Sequence, residues 1–292
     1  MTAPPHPGRV APRGPAGYRA GRPTIPETPR APEEMTVLDT PFTVRLAETE
    51  ADLLGAQRLR YRVFVEELGG DGALVDHACR LERDAFDPHF GHLVLVDTRR
   101  DPRSLDHVAG VYRLMDDAGR AAAGRFYSED EYDLSPLLSS GRPLMELGRS
   151  CVDARHRGGP AMFLLWQGLA AHVLDRGIEV LFGVASFHGA DPARHADALS
   201  LLRHRHLAPE ALRVRARPEH FQRMDLTDPA AIDAAAAMKA MPALIKGYLR
   251  LGGTVGEGAF VDHAFNTVDV CLVLDTARMN AQARAIYTRG LG

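Results

Sequence analysis

The stretch PLMELGRSCVDARHRGGPA, residues 143–161, runs directly into MFLLWQGLAAHVLDRG, residues 162–177, and its reading decides the fold. Leu144, Leu147 and the run Ser150-Cys151-Val152 have the apolar content of a buried strand. The turn Arg155-His156-Arg157-Gly158-Gly159-Pro160 then delivers the chain to a helix start. Strand, glycine-rich basic turn and helix together make an anion cradle. Unpaired backbone N–H groups point outward from the helix N-terminus, the macrodipole adds partial positive charge, and glycine lets a phosphate-bearing ligand come close. Upstream, Glu146 and Arg149 lie three residues apart on the strand, so they face opposite sides unless a bulge intervenes. A carboxylate beside a phosphate site suggests group transfer from a phosphopantetheine or nucleotide carrier. The plainer alternative is a βα crossover in which Glu146 pairs with an arginine for structural reasons.

Working outward, the 292 residues suffice for one large domain or two small ones with a substantial core. Apolar residues at 45% and charged residues at 25% are ordinary for a globular chain, and a net charge of -3 gives no field favouring nucleic acid or anionic lipid. Lys239 and Lys246 are the only lysines, so basic charge is carried by arginine, through codon bias or through selection for bidentate anion binding. Cys79, Cys151 and Cys271 are odd in number and form no CxxC pattern, so neither a disulfide framework nor a zinc cluster is indicated. No apolar run approaches the ~18 residues that span a bilayer, and the N-terminus has no apolar signal core, so a cytoplasmic protein is expected. Residues 1–41 hold ten of the twenty prolines and few large apolar side chains, which reads as a disordered Pro/Arg-rich tail, with residues 42–292 forming the folded domain.

In chain order, Phe42–Leu46 alternates as a first strand, and Thr49-Glu50-Ala51-Asp52 resembles a capping box opening a helix that ends near Gly69-Gly70. Arg60 and Phe64, one turn apart, read as a solvated arginine beside a core aromatic. In the loop ERDAFD, Glu82, Asp84 and Asp87 fit a solvated acidic turn, a cation site or a clamp for an amine or guanidine; the missing turn glycine and closing acid argue against calcium. His92–Val96 and Val108–Met115, the latter carrying Arg113, read as antiparallel strands. Ile178–Phe187 is apolar on both faces and reads as a central strand. The histidines at 188, 195, 204 and 206 lack a zinc spacing. Helices are expected over 228–241, 242–251 and 276–287, with a last strand over 268–274. GTVGEGA, residues 253–259, matches neither a dinucleotide fingerprint nor a P-loop.

The pattern disfavours covalent routes. Gly148-Arg149-Ser150-Cys151-Val152 lacks the second glycine of a hydrolase elbow, and Cys151 sits in an apolar strand where burial keeps a thiol protonated. Direct transfer to an amine remains. It needs a base, donors for the thioester oxyanion and an anion cradle. Glu146, the N–H groups of residues 150–152 and the 155–159 turn offer these three in order.

Four spacings carry a resemblance. Arg60 and Phe64, Glu82-x-Asp84-x-x-Asp87, Gly110-x-x-Arg113 and Glu146-x-x-Arg149 follow one another as in acyl-homoserine-lactone synthases, a branch of the GNAT-like acyltransferases. The tryptophan those synthases carry soon after the Phe is absent, Trp166 being the only one, which argues against S-adenosylmethionine as acceptor. RYRVFVEELG, ERDAFD, FYSEDEYDL, ELGRSCV, LFGVASFHGAD, PALIKGYLRLGG and VDHAFNTVDV extend the likeness from about residue 42 to 287, and here the chain resembles the L-ornithine N-alpha-acyltransferase family. That resemblance implies an α/β GNAT-like fold, a mixed central sheet flanked by helices with a C-terminal extension from residue 228. It implies transfer of a 3-hydroxyacyl group from acyl carrier protein to the α-amine of L-ornithine, with no cofactor, metal or nucleic acid, and is compatible with peripheral association at the inner membrane. The catalytic residues implied are Glu146, Arg149 and Ser150; Arg60, Phe64, Glu82, Asp84, Asp87 and Arg113 would bind the acceptor; Arg155, Arg157, Gly158 and Gly159 would bind the acyl donor. A synthase of other N-acyl amino acids or lactone-type signals, and a non-catalytic module that docks the carrier protein, are the alternatives.

Overall fold

The computed structural model describes residues 40–288, so nearly all of the expected tail at 1–41 lies outside the described residues. The chain enters as β1 (Phe42–Leu46) and turns into α1 (Glu50–Arg60). The capping box forms as expected: Thr49 Oγ1 accepts from the Asp52 N–H and the Asp52 carboxylate accepts from the Thr49 N–H, each at 3.1 Å. α1 continues as a π-helical segment over Tyr61–Glu67, close to the expected end near Gly69-Gly70. Then come β2 (Gly91–Asp97), β3 (Val108–Asp116), β4 (Leu144–Val152), α2 (Ala161–Asp175), β5 (Val180–His188) and α3 (Ala196–Arg205). The chain closes with α4 (Ala243–Leu251), β6 (Ala259–Asp262), β7 (Thr267–Asp275) and α5 (Ala281–Thr288).

The strands form one mixed sheet in the order β1-β2-β3-β4-β5-β7-β6, with Phe221–Gln222 beyond β6. Neighbours run antiparallel except β4 and β5. Two-sided burial explains the unbroken apolar run in β2: Leu93 and Leu95 pack towards α2, while Val94 and Val96 pack towards Ala56 and Leu59 of α1. The expected C-terminal extension is no appendage. β7 pairs with β5 along nine positions, and α4 lies on the sheet face that α2 covers, where Gly247 lets Trp166 and Tyr248 meet with ring centroids 5.2 Å apart. Over 228–241 the helix is confined to Ala234–Ala240, started by Asp233, whose carboxylate accepts from the Ala235 and Ala236 N–H groups.

Two irregularities in β4 open the sheet. Its parallel ladder with β5 holds for Leu144, Met145 and Glu146 and then stops. On its other edge, Val111 faces Cys151 but Arg113 faces Gly148, so Arg149 and Ser150 together oppose Tyr112 and Arg149 takes a positive φ of 48°. That is the bulge that overrides the odd spacing of Glu146 and Arg149. Where β4 and β5 part, they touch through Gly183, whose added Cβ would lie 2.1 Å from the Leu147 carbonyl oxygen. A methyl group meeting backbone has no side chain to push aside. Gly183→Ala is therefore expected to lower stability by about 1–3 kcal/mol, read as a lower urea midpoint with unchanged slope.

Candidate active site

The four spaced motifs meet in one closed circuit. Arg60 bonds to Glu82 and, at 2.7 Å, to Asp87; Arg113 reaches Asp87 and Asp84 at 2.7 Å each; Arg149 reaches Asp84 at 3.5 Å and Glu82 at 3.0 Å. Six charges thus alternate in sign around a ring. Arg60 and Arg113 are wholly buried, so the expected solvated arginine is in fact a core member of the ring. Gln57 Nε2 donates to Asp87 at 3.0 Å, and the Arg113 guanidinium stacks 4.3 Å from the Phe90 ring centroid. Burial alone would push Asp87 up, but the Arg60 and Arg113 charges prevail and hold it down at about 2. The clamp expected of Glu82, Asp84 and Asp87 is therefore filled by the protein's own guanidiniums. Sequence spacing could not reveal this, because the counter-ions lie on α1, β3 and β4.

Beside the ring, the parting of β4 and β5 opens a cleft of about 250 Å³ lined by Phe64, Arg113, Glu146, Arg149 and Ser150 among others. Glu146 is buried, and its carboxylate accepts from the Tyr127 N–H at 2.8 Å, the Ser128 N–H at 2.6 Å and the Ser128 hydroxyl. Burial raises its affinity for a proton against the pull of these donors. Three of its roughly four acceptor directions are taken, which leaves one for a ligand. Arg149 donates to the Tyr127 hydroxyl at 3.3 Å and lies 5.3 Å from the Phe265 ring centroid, fixing the cleft wall.

The cleft also holds a cluster the motif reading missed. Carboxyl oxygens of Glu131, Asp262 and Asp269 all lie within 4.8 Å of one another, a donor set suited to a cation. Glu131 follows the 3-10 turn Tyr127–Asp130, Asp262 ends β6 and Asp269 sits on β7. A signal was present: Asp269 interrupts the otherwise apolar TVDVCLVL of β7, where a lone charge has no structural use. Burial, reinforced by the neighbouring acids, pushes Glu131 and Asp269 up as a pair, Asp269 to about 7.

The expected donor-binding turn lies apart from these acids. Arg155 pairs with Asp153 at 2.7 Å, Arg157 pairs with Glu67 at 2.7 Å and donates to the Val152 carbonyl at 3.0 Å, and both stay about half exposed. Gly158 takes φ 77° beside the exposed Gly159, and α2 begins immediately after Pro160. None of the four lines the Glu146 cleft; Ser150 and Val152 of β4 span the distance between them. Burial pushes the Cys151 thiol up to about 12, consistent with its expected inertness.

Two predictions follow from these charges. Arg60→Met would strand Glu82 and Asp87 without their buried partner and is expected to cost about 3–5 kcal/mol, read from urea unfolding. For Asp269, a folded pKa raised from 3.8 to about 7 means stability that is full below pH ~4 is lost as pH climbs towards 7. Asp269→Asn is therefore expected to melt higher than wild type by a margin that widens between pH 5 and pH 8, reaching a few kcal/mol.

Residues 59–167 match the acetyltransferase (GNAT) domain model. Among solved structures, the CoA-dependent acyl-homoserine lactone synthase BjaI aligns over 86% of this chain and 90% of its own at 16% identity, with a TM-score of 0.47. The L-ornithine N(alpha)-acyltransferase of Rhodobacter capsulatus is 57% identical over 248 residues, covering 85% of this chain and 95% of that protein. The enzyme of the same name from Brucella abortus is 43% identical, covering 84% of this chain and 88% of its own. With identities of this size along nearly the whole described length, the chain belongs to the L-ornithine N(alpha)-acyltransferase family.

Proposed function

We propose that this protein transfers a 3-hydroxyacyl group from the thioester of acyl carrier protein to the α-amine of L-ornithine. One observation supports the reading above all: in a chain of this family, the β4/β5 parting sets a buried carboxylate, Glu146, and the bulged backbone of Gly148 to Ser150 on the same cleft. The amine nitrogen attacks the thioester carbonyl, the C–N bond forms, and the C–S bond breaks. Glu146 takes a proton from the attacking nitrogen through its remaining acceptor direction, and the leaving thiolate recovers a proton as free carrier thiol. Backbone N–H groups at the bulge face the developing oxyanion. The Arg155 to Gly159 turn and the start of α2 receive the phosphate of the carrier arm.

The acyl chain has a place to lie. Leu147, Val184 and Leu244 line both the cleft and a narrow passage behind it, and Leu181, Tyr248 and Leu274 line both that passage and an apolar cavity of about 250 Å³. Trp166, Leu169 and Leu251 also line that cavity, whose burial of each methylene is worth ~0.8 kcal/mol. Among the described residues no helix is long and apolar enough to cross a membrane.

Purified protein given 3-hydroxyacyl-ACP and L-ornithine is expected to release carrier thiol and form the amide; no release with any amino acid would reject the reading. Glu146→Gln is expected to lower kcat by ~10²–10⁴-fold with little change in KM for the acyl donor. Equal turnover by a folded variant would remove Glu146 from the proton-transfer role.

A further inference from the structure

We propose that Glu131, Asp262 and Asp269 form a subsite for the side-chain ammonium of the acceptor, which rests on the amine acylation argued above and specifies how the acceptor is chosen. The three carboxyl groups come from separate segments, yet their oxygens converge within 4.8 Å. Glu131 is 8% exposed and Asp269 3% exposed, and Glu131 Oε2 and Asp269 Oδ1 lack a hydrogen-bond partner among the described residues. Both side chains line the cleft that holds Glu146. Thr267 donates to Asp269 Oδ2 at 3.1 Å, which leaves Oδ1 for a ligand. Unpartnered buried carboxylate oxygens are costly, and natural sites keep them where a ligand completes them.

Among the described residues no ion pair is made to these three acids, and the Arg149 charge acts on Glu131 and Asp269 only from its place in the ring. The guanidiniums of Arg60, Arg113 and Arg149 make their bonds to Glu82, Asp84 and Asp87, and Arg149 also donates to Tyr127. An alkylammonium carries three N–H donors and no acceptor, one donor for each acid. A ligand with two amines on a short flexible chain can therefore place one against the triad and present the other, uncharged, at Glu146. An amino acid with an apolar side chain would leave the buried acids unpaired, which is the strong form of rejection.

The test compares L-ornithine with L-norvaline, which has the same carbon skeleton without the terminal amine, in the 3-hydroxyacyl-ACP assay. Wild type is expected to favour ornithine in kcat/KM by ~30-fold or more. The isosteric double variant Asp269→Asn with Glu131→Gln is expected to shrink that ratio by at least ~10-fold. Without donor, ornithine but not norvaline is expected to raise the Tm of wild type, and neither to raise that of the variant. A wild-type ratio near one, or a ratio unchanged in the variant, overturns the proposal. So does turnover lost with EDTA and restored by Mg2+, which would give the triad to a divalent ion. If ornithine raises the Tm through the triad yet is not acylated, the subsite stands and the proposed reaction falls; if it does neither, both fall.

Discussion

Six charges, four of them buried and two half-buried, linked Arg60–Glu82–Arg149–Asp84–Arg113–Asp87 and back to Arg60, hold the working half of this molecule together. Taking one such pair out of water costs more than its attraction returns, unless every remaining donor and acceptor is also satisfied. In the closed ring each group has an opposite charge on both sides, while Arg60 Nη2 and Arg113 Nε make no hydrogen bond. The circuit joins the end of α1, the loop at 82–87, the middle of β3 and the bulge of β4. Two local irregularities adjoin it: the π-helical segment that follows Arg60 and the positive φ at Arg149.

Beside this neutral ring lies a cleft rich in carboxyl groups, three of which burial shifts towards the protonated form. Glu146, Glu131, Asp262 and Asp269 line it, and the arginines nearest to them are already engaged. The contrast gives the site its polarity: a wall of paired charges facing a hollow lined by carboxyl groups. The opening exists because β4 and β5 pair for only three residues before Gly183 wedges against Leu147 and the strands diverge. An apolar passage leaves the same opening towards α4. Amine chemistry and an acyl chain thus meet at one gap in the sheet.

Much of this was legible from residue order. The strand, basic turn and helix at 143–177, the capping box at Thr49, the two-faced apolar run of β2 and the central strand near 180 all rest on local periodicity and on short-range hydrogen bonding, which neighbours in sequence decide. The motif residues Arg60, Glu82, Asp84, Asp87, Arg113 and Arg149 were also picked out as belonging together. What they do to one another was not, because a run of acids looks alike whether it awaits a substrate amine or already holds three guanidiniums. Asp269 and Glu131 escaped notice for the converse reason: each is a single acid with no partner at a telling interval.

Sequence by itself determined which segments are helix or strand, that Glu146 stands on a strand ahead of a basic glycine turn, and that Cys151 is buried and inert, since these depend on side-chain chemistry and nearest neighbours along the chain. Tertiary structure alone decided that Glu146 and Arg149 share a cleft, through a bulge whose partner strand lies some 35 residues upstream. It also decided that the 82–87 acids are neutralised while the 131, 262 and 269 acids are not. The physical reason is that a charge's energy depends on what lies within a few ångströms and how much water remains there, and both are set by segments far apart in the chain.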